Sequence, residues 1–556
     1  MFTSFTPSER KVHYPDDRRV YIGLKRPIWY VLAALLLVTL GTAWVQYLCW
    51  GLPPDPAATL SPAGSTATPG FPGWARFAHW ANFFFLVIII RSGLSILADH
   101  PRLYWNNGCT PHSEWIRFTP VKVPDDKVWT AKEDAWYISP VLGLPGYRHT
   151  VGIARSWHFL QVPFFLLNGA IFITLLFITD HWQRLVPASW QVIPDAWNIF
   201  VHYATFNMPI EPNGYYQYNA LQQLAYFAVV FLFAPVAMVS GMAMSPAIEN
   251  RFHWIPKLFG NRQGARSVHF LVMIGYVIFA VVHVGMVAFT GLARNMNHIV
   301  MGTDDPTDRS GLWIGIAIVL LTIAFGIVAH WISWRKPRLL QKAEAAVNGS
   351  LWKWTINKFK PKRYYTQKDI SPYFWPNGKV PDSAAWRQLA ANDFKDFTLK
   401  VGGLVENPVA LSLEALKSLG KEQQITMHHC IQGWSGIAEW GGLPLQALID
   451  IVKPGPTVTT VVFYSFGEGL YGGVYYDTHT LENCRKPSSI LAWEMNYAPL
   501  TATYGAPLRL RVENQLGYKM VKWIERIEFV ETHQTIGKGY GGKNEDDEYF
   551  DLLANT

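Results

Sequence analysis

The amino-acid sequence predicts a multi-domain protein: an all-α transmembrane helical bundle of six spans, followed by an α+β domain. The chain has 556 residues and is 50% hydrophobic, which is too long for a single domain. Runs of about 20 apolar residues, long enough to cross a bilayer, recur up to residue 334 and are absent beyond it. Further on, short strand-like segments alternate with helical ones. We therefore expect a membrane domain joined to a soluble domain.

The six predicted spans are apolar segments separated by polar loops. They lie at about 28–50, 75–98, 156–179, 220–244, 267–291 and 312–334. The loops and flanks on one side of the membrane carry 20 Lys and Arg residues, and those on the other side carry three. Because cytoplasmic loops are enriched in Lys and Arg, both termini and the soluble domain are predicted to be cytoplasmic.

Two histidines of the fifth span indicate a cofactor. His269 and His283 are 14 residues apart, so both leave the same helix face, about 21 Å apart along the axis. Two imidazole positions stacked within a bilayer suit two haems, each of which needs a second axial ligand. His79, near the start of the second span, and His158, near the start of the third, lie at matching depths. We predict the pairs His158 with His269 and His79 with His283, whereas His330, His181 and His202 are interpreted as ordinary hydrogen-bonding histidines.

One further charge lies within a predicted span. Arg91 follows an uninterrupted apolar run in the second span, and an intramembrane arginine is a candidate functional residue. It could pair with a haem propionate, line a quinone pocket or extend to the membrane interface. Gly93 could allow a flat ring to approach the backbone.

These features resemble a known membrane family. Residues 74–334 are similar to the di-haem cytochrome b subunits of formate dehydrogenases (the gamma subunit) and of nickel–iron hydrogenases. The matching pieces are Arg76-Phe77-Ala78-His79-Trp80 with Ser92-Gly93 downstream, the histidine of the next span, the pair 14 residues apart, and Gly291-Leu292-Ala293-Arg294-Asn295-Met296. The resemblance implies two haem b groups and electron exchange with quinone or quinol. The extra span at 28–50 departs from this family.

The soluble part has an α+β pattern with one prominent cysteine. Strands are predicted at 397–401, 458–466, 508–512 and 523–530, and helices near 411–419 and 443–452. The four cysteines are too far apart for a zinc motif or a disulfide framework. Cys430 follows His428 and His429 in a loop after a short strand. An isolated cysteine is more often buried and inert, but cationic neighbours or a metal would make it a thiolate.

Residues 397–531 resemble the molybdopterin-binding domain of the sulfite oxidase family. The blocks that carry the resemblance are 401–408, the single Cys430, and the segments 490–496, 504–510 and 517–524. The resemblance implies that Cys430 supplies the thiolate on molybdenum and that Arg509, Lys519 and Lys522 surround the pterin phosphate. It also implies an active-site role for Tyr471. By position alone, His428, His429 and Asn377 are pterin contacts.

The residues after Cys430 depart from the sulfite oxidases, which place arginines there. Here the sequence is Gln432-Gly433-Trp434-Ser435, closer to the bacterial branch that reduces methionine sulfoxide. We expect a membrane-bound molybdoenzyme that couples two-electron oxygen-atom transfer to a quinone pool through two b haems, with an S-oxide, an N-oxide or an unidentified substrate. The alternatives are sulfite oxidation and a non-enzymatic electron conduit.

The predicted organisation follows from these parts. Residues 1–27 are a cytoplasmic segment, 28–50 an extra transmembrane helix, 74–334 the di-haem cytochrome b domain, 335–395 a linker, and 396–556 the molybdopterin-binding oxidoreductase domain. The expected partners are quinone or quinol, a small oxygen-atom donor or acceptor, membrane lipid and a second copy of the chain. The net charge of +8 lies mostly in loops beside the spans, so nucleic acid is not expected. The expected location is the bacterial inner membrane.

Overall fold

The computed structural model describes most of the chain. The described residues are 23–24, 26–54, 69–124, 128–146, 150–208, 213–359, 365–550, 552 and 554–556. Most of the predicted segment 1–27 therefore lies outside them. Six described helices are long and apolar enough to cross a membrane: Ile28–Trp50, Gly73–Asp99, Val151–Ile178, Ala220–Ala243, Arg262–Phe289 and Ser310–Arg335. The prediction of six spans is confirmed, and the protein is a multi-pass membrane protein.

The second, third and sixth spans share a hydrophobic core. Their shared core contains Ile88, Ile153, Trp157 and Ala329, and the Trp157 indole donates to Ser333 Oγ over 2.8 Å. The fourth span contains a π-helical turn, Ala228–Phe233, between its two α-helical halves. The first span is mostly exposed along its length. It contacts a short helix, Val192–Ala204, where Trp197 donates to Gln46 over 2.9 Å.

The predicted linker 335–395 contains a long helix, Pro337–Trp354, directly after the sixth span. Asn348 of this helix donates to the Phe159 carbonyl of the third span over 3.0 Å. Gln341 donates to the Phe550 carbonyl near the C-terminus, also over 3.0 Å. The helix therefore connects the membrane bundle to the end of the soluble domain. A flexible linker would not make such contacts with both.

The strands of the described residues form three sheets. Near the membrane, β1 (Gly23–Leu24), β3 (Ile116–Arg117) and β2 (Arg102–Leu103) form a small sheet in that order. The soluble domain contains β4 (Thr398–Gly403), β5 (Val409–Ser412), β6 (Glu422–His429), β7 (Ser435–Pro444), β8 (Thr460–Glu468), β9 (Val474–Thr480), β10 (Ser489–Met495), β11 (Ala498–Pro499), β12 (Arg509–Val512) and β13 (Ile524–Val530). One sheet has the order β5-β4-β13-β8-β9 and the other β11-β10-β7-β6, with β12 also pairing β10.

The α+β prediction is confirmed, although several strands were not predicted. Helices Ala384–Ala391, Leu413–Ser418, Leu445–Val452, Leu481–Cys484 and Lys543–Asp546 accompany the sheets. The predicted strands correspond to β4, β8, β12 and β13. Strand β7 is buried along almost its whole length, so it lacks the polar–apolar alternation by which a half-buried strand is recognised. Strand β6 has eight residues and is longer than expected.

The sheet that carries β6 and β7 is covered on both faces. One core joins both sheets with helix Leu445–Val452. A second core joins residues of the long loop between the second and third spans with the turn after β6; its members include Tyr104, Cys109, Ala131, Ile431 and Trp434. The loop therefore shares a hydrophobic core with the soluble domain.

Candidate functional site

Two histidines face each other at the end of the bundle nearest the soluble domain. The ring centres of His158 and His269 are 6.5 Å apart. His158 Nδ1 donates to the Ile89 carbonyl at 3.1 Å. Because the Ser240 hydroxyl donates to a backbone carbonyl, His269 Nδ1 donates to Ser240 Oγ, at 3.0 Å. Each ring is thereby fixed in the tautomer that leaves the Nε2 lone pair available for a metal.

Serine–glycine pairs support both rings. Ser92 Oγ lies 3.3 Å from His158 Nδ1, and a Cβ on Gly93 would lie 3.5 Å from His158 Cε1. Ser240 and Gly241 repeat this arrangement around His269, where a Cβ on Gly241 would also lie 3.5 Å from Cε1. The flat ring beside Gly93 is thus an imidazole. Sequence reasoning missed the second pair, although the repeated Ser-Gly dipeptide in the fourth span was a usable signal.

The second pair lies towards the opposite end of the fifth span. The ring centres of His79 and His283 are 6.2 Å apart. Phe279 stacks on His283 with ring centres at 5.5 Å. His79 Nδ1 is buried and has no hydrogen-bond partner among the described residues.

Both spacings fit an iron held between two imidazoles. A metal–imidazole bond is about 2.0 Å long and the nitrogen lies about 1.1 Å from the ring centre, so imidazoles that share one iron have centres about 6 Å apart. The observed separations of 6.5 and 6.2 Å agree with this value.

Arg91 lies among carbonyl groups near the first pair. Its Nη2 donates to the carbonyls of Pro140 at 2.7 Å and Gly143 at 3.3 Å. His330 Nδ1 accepts from the Gly146 amide at 2.9 Å, and its Nε2 lies 2.7 Å from Arg91 Nη2 and 3.0 Å from the Pro140 carbonyl. The Arg91 Nε is buried and has no hydrogen-bond partner within the described part of the chain.

Cys430 lies in the Cys430 turn, residues 428–435, which connects β6 to β7. Its amide donates to the Trp434 carbonyl at 3.1 Å, and Gly433 adopts a φ of 105°, which few other residues tolerate. The Cys430 thiol is 3.7 Å from Gln432 Oε1. Burial raises the pKa of Cys430 to about 12. The buried thiol would become a thiolate only with a strong positive partner such as a metal.

Buried cations lie on the neighbouring strand β12. Arg509 and Arg511 are spaced two apart, so they share one face, and their guanidinium carbons lie 4.6 and 4.2 Å from the Trp440 ring centre. Burial and the charge of Arg511 hold the pKa of Arg509 well below its usual value. Burial and Arg509 do the same to the pKa of Lys522. Charges that alternate along a strand often face solvent, but Arg509 and Arg511 are buried. A cluster of buried cations favours an anionic ligand such as a pterin phosphate.

The adjacent histidines of β6 face opposite ways, as successive strand residues do. His428 stacks on Trp434 with ring centres at 5.4 Å, and Arg511 donates to its Nδ1 at 3.0 Å. Burial and Arg511 hold the pKa of His428 well below its usual value, so the ring is neutral and does not supply the positive charge considered from sequence. His429 instead faces the membrane domain, 3.9 Å from Glu249.

The remaining predicted residues, Asn377, Lys519 and Tyr471, lie in three different places. Asn377 joins the cofactor cluster, because its amide donates to Gln432 at 3.3 Å and its carbonyl accepts from Lys522. Lys519 lies in a separate ion cluster. It contacts Asp477 and Glu545, and these carboxylates raise its pKa even though burial alone would lower it. The Tyr471 ring lies against Tyr549 of the C-terminal segment, with centres 6.3 Å apart.

The Cys430 turn also contacts the fifth span directly. Arg262 Nη1 and Gln263 Nε2 donate to the Gly433 carbonyl at 3.1 and 3.0 Å. His269 follows Gln263 by six residues, or about 9 Å along the helix. No sequence pattern joins positions 170 residues apart, so this contact was not predicted. The predicted metal-binding cysteine and the predicted haem ligand are thus carried by elements in direct contact.

The fold and the site define a membrane protein with a cytochrome-like bundle and a molybdopterin-type domain, and comparisons with known families agree. Residues 70–302 match the model of prokaryotic cytochrome b561. Residues 386–536 match the model of the oxidoreductase molybdopterin binding domain. The chain is a fusion of a b-type cytochrome membrane domain with a molybdopterin-binding domain of the sulfite oxidase type.

Individual relatives match parts of the chain. A protein of Azospira oryzae, provisionally named as the YedZ1 subunit of a protein-methionine-sulfoxide reductase, is 31% identical over 135 residues, or 24% of this chain and 49% of that protein. The catalytic subunit MsrP of protein-methionine-sulfoxide reductase from Xanthomonas axonopodis pv. citri is 34% identical over 178 residues, or 30% of this chain and 54% of that protein. MsrP from Gluconobacter oxydans is 33% identical over 147 residues, or 24% and 47%. The chain thus spans about half the length of each of these relatives.

Proposed function

We propose that the protein is a membrane-bound, molybdenum-dependent oxidoreductase that reduces an S-oxide or N-oxide with electrons taken from quinol. The observation that carries this proposal is the direct contact of the Cys430 turn with the fifth span, through Arg262 and Gln263. This contact places a candidate site for two-electron chemistry beside a helix that carries two candidate haem ligands. Such an arrangement suits electron exchange with quinol in the membrane. The S-oxide class is supported by the relatives named as methionine-sulfoxide reductase subunits.

In this proposal the soluble domain holds a molybdenum–pterin group. Cys430 would be the protein ligand of the metal, and Arg509, Arg511 and Lys522 would bind the pterin phosphate, with Asn377 between the two. When bound, the group supplies two-electron oxygen-atom transfer. The overall reaction breaks the sulfur–oxygen bond, consumes two electrons and two protons, and releases the sulfide and water.

The membrane domain, within residues 74–334, would hold two haems b. His158 and His269 would bind the haem nearer the soluble domain, and His79 and His283 the haem nearer the opposite face. Arg91, whose Nε has no partner among the residues that the structure describes, would donate to a propionate of the nearer haem. Quinol would be oxidised at the far haem. By the charge bias of the loops, the soluble domain, within residues 396–556, would face the cytoplasm of a bacterial inner membrane.

The test is a substrate screen with purified, chemically reduced protein, in which haem absorbance is followed after each addition. Dimethyl sulfoxide, methionine sulfoxide or trimethylamine N-oxide should reoxidise the haems. Cys430→Ser should slow this reoxidation by at least about 100-fold, because losing a ligand is at least as severe as losing a group that supports one. Cys49→Ser, which changes an exposed cysteine of the first span, is the matched control.

Two outcomes would contradict the proposal. The first is equal reoxidation by Cys430→Ser and the unaltered protein. The second is a protein whose oxidised haems are reduced by sulfite while no S-oxide or N-oxide reoxidises the reduced form, since that result would assign the opposite direction of oxygen transfer.

A further inference from the structure

The third span, Val151–Ile178, contains a proline, Pro163, shortly after the candidate haem ligand His158. In an uninterrupted helix the amide of residue 163 would donate to the carbonyl of Phe159, but proline has no N–H and its ring crowds that carbonyl. The Phe159 carbonyl therefore lacks its ordinary helical hydrogen bond. In a membrane-spanning helix such a freed carbonyl is satisfied by a neighbouring segment.

The partner comes from the linker helix, Pro337–Trp354. Asn348 Nδ2 donates to the Phe159 carbonyl at 3.0 Å and to Glu344 Oε1, one turn earlier on its own helix, at 3.1 Å. Both hydrogens of the amide nitrogen are therefore used, and the side chain is held in one orientation. The hydrogen bond from Asn348 thus replaces the one that Pro163 removes.

Apolar packing around the proline is open on the side of the linker helix. A groove lies there between the two helices, and Leu167 and Trp354 are both more than half exposed. Residues that line the groove include Pro163, Phe164, Leu167, Leu351 and Trp354. Side-chain packing therefore restrains this turn weakly, and the hydrogen bond from Asn348 gives it a defined direction.

The first turns of the linker helix are anchored to the C-terminal segment. Gln341 is fully buried and donates to the Phe550 carbonyl at 3.0 Å. The Arg338 guanidinium carbon lies 3.9 Å from the ring centre of Tyr540. Asn348 follows Gln341 by seven residues, or about two turns. The soluble domain thus holds the helix in the position from which Asn348 contacts the third span.

This restraint belongs to the connection between the two domains. Asn348 lies outside residues 70–302, which match the cytochrome b561 model, and outside residues 386–536, which match the molybdopterin model. The bundle therefore receives a backbone contact from a segment that neither family model includes.

The contact acts on the backbone that carries His158. The ring itself is held from the second span, where Nδ1 donates to the Ile89 carbonyl at 3.1 Å and lies 3.3 Å from Ser92 Oγ. These contacts fix the rotation of the ring. Phe159 directly follows His158, so the hydrogen bond at its carbonyl fixes the helical turn from which the ring projects.

We propose that Asn348 is a positioning residue for His158. By replacing the hydrogen bond lost at Pro163, it fixes the direction in which the His158 imidazole presents Nε2 to a haem iron. The inference rests on the proposed ligation of the nearer haem by His158 and His269. It adds that the properties of this haem depend on the helix that joins the bundle to the soluble domain.

The test is EPR spectroscopy and redox titration of the purified protein with its haems bound. The g values of a low-spin ferric haem depend on the angle between its two axial imidazole planes, so they report the orientation of His158. His79→Ala, which should retain only the nearer haem, identifies its signals.

Asn348→Leu should change the g values of the nearer haem and leave those of the far haem unchanged. It should also raise the potential of the nearer haem, because a more loosely held imidazole stabilises oxidised iron less. We expect a change of about threefold in the reduction equilibrium, or about 28 mV at 59 mV per tenfold. This is less than the tenfold loss typical of a group bonded to the ligand itself. Asn348→Ser, which also withdraws the amide donor, replaces Asn348→Leu if that variant does not accumulate.

Pro163→Ala gives the matched comparison. Alanine restores the amide at residue 163, so the helix itself can satisfy the Phe159 carbonyl. In the Pro163→Ala protein, Asn348→Leu should therefore change neither the g values nor the potential of the nearer haem. Ala343→Leu, at an exposed position of the linker helix, is the control for altering that helix and should also leave both unchanged.

The outcomes are separable. Unchanged g values and an unchanged potential in Asn348→Leu would overturn the inference and leave the haem ligation intact. An equal effect of Asn348→Leu in the presence and absence of Pro163, or an equal effect of Ala343→Leu, would overturn it too. If the unaltered protein gave no low-spin signal from a haem with two imidazole ligands, the proposed ligation itself would fail, and the inference with it.

Discussion

At the scale of single residues, basic side chains that look equivalent in the sequence differ in the charges buried around them. Arg509, Lys519 and Lys522 are all basic residues near the end of one domain. Arg509 and Lys522 are both buried. Burial and the charge of Arg511 lower the pKa of Arg509, and burial and the charge of Arg509 lower the pKa of Lys522. Lys519 is surrounded by carboxylates. The first two therefore favour an anionic ligand, whereas the charge of Lys519 is already neutralised.

This difference gives the first prediction. Arg509→Gln should lower the molybdenum content of the purified protein by roughly tenfold, with little effect on thermal unfolding. Lys519→Gln should destabilise the protein by about 3 kcal/mol, because it leaves Asp477 and Glu545 buried without their cation. Metal analysis and thermal unfolding measure both quantities. If Lys519→Gln lost molybdenum while its stability stayed unchanged, Lys519 would instead be assigned to the cofactor site.

His479 gives a pH-dependent prediction. The residue is buried, its Nε2 faces the Lys519 carbonyl at 2.7 Å, and burial together with the Lys519 charge lowers its pKa from 6.5 to about 3. Below pH 6.5 the unfolded chain binds a proton that the folded chain does not. Stability therefore falls as the pH drops, and His479 accounts for about 1.6 kcal/mol between pH 6.5 and about pH 5.

The measurement is unfolding as a function of pH. His479→Gln, which keeps an N–H donor at this position, should remove this part of the acid sensitivity. His533→Gln, at a partly exposed histidine of the same domain, should leave it in place. Identical pH profiles for His479→Gln and the unaltered protein would contradict the assignment.

At the scale of elements, the fifth span, Arg262–Phe289, connects the two candidate redox sites. Its first turn binds the Gly433 carbonyl, and its body carries His269 and His283. Rings from the second and third spans complete the two pairs. A single helix therefore sets the spacing of the two candidate haem sites and their position relative to Cys430.

The pairing predicts which substitutions act alike. His158→Ala and His269→Ala should each remove the same haem, and His79→Ala and His283→Ala should each remove the other. Each variant would keep one of two bis-histidine sites, so it should contain about half of the haem of the unaltered protein. Haem content and reduced-minus-oxidised spectra of the four variants measure this. If His79→Ala and His283→Ala removed spectrally different haems, the pairing would be disproved.

The contact at Gln263 gives a prediction for electron transfer. Gln263 is fully buried and donates to Gly433 and, at 3.4 Å, to Ser435. Gln263→Leu should slow reoxidation of the haems by S-oxide roughly tenfold, because the two sites are held less precisely. Stopped-flow absorbance measures this rate. The control is Gln46→Leu, which removes the contact between the first span and Trp197 and should leave the reoxidation rate unchanged. Equal rates in the Gln263→Leu and Gln46→Leu proteins would show that the contact of Gln263 with Gly433 is dispensable.

At the scale of the whole molecule, the two domains share a hydrophobic core. The loop between the second and third spans contributes Tyr104, Cys109 and Ala131 to the same cluster as Ile431 and Trp434. The helix Pro337–Trp354 adds hydrogen bonds to the C-terminal segment. The fusion therefore fixes the soluble domain at the end of the bundle where His158 and His269 lie.

Membrane orientation can be tested with the cysteines. Cys49 is exposed at the end of the first span, whereas Cys109, Cys430 and Cys484 are buried. With a cytoplasmic N-terminus, a membrane-impermeant maleimide should label Cys49 in intact spheroplasts. A cysteine introduced by Ser418→Cys, at an exposed position of the soluble domain, should react only after lysis. The reverse labelling pattern would invert the topology.

The sequence by itself determined the features that depend on local periodicity or spacing. Six apolar runs of membrane-spanning length predicted the six spans, and alternation predicted strands such as β13. The spacing of His269 and His283 is a property of one helix, so their common face could be predicted without knowing what packs against it. Family-like blocks around Cys430 and Arg509 indicated the second domain.

Only the tertiary structure decided how distant segments meet. Ser240 supports His269, Arg511 donates to His428, and Lys519 belongs to an ion cluster. Gln432 of the Cys430 turn donates to the Asp99 carbonyl at the end of the second span. These contacts join positions up to 333 residues apart. They arise from side-chain packing and the pairing of buried charges, which leave no periodic signal in the chain. For that reason the sequence could single out Cys430 as a candidate metal ligand, whereas the residues packed around it could not be predicted.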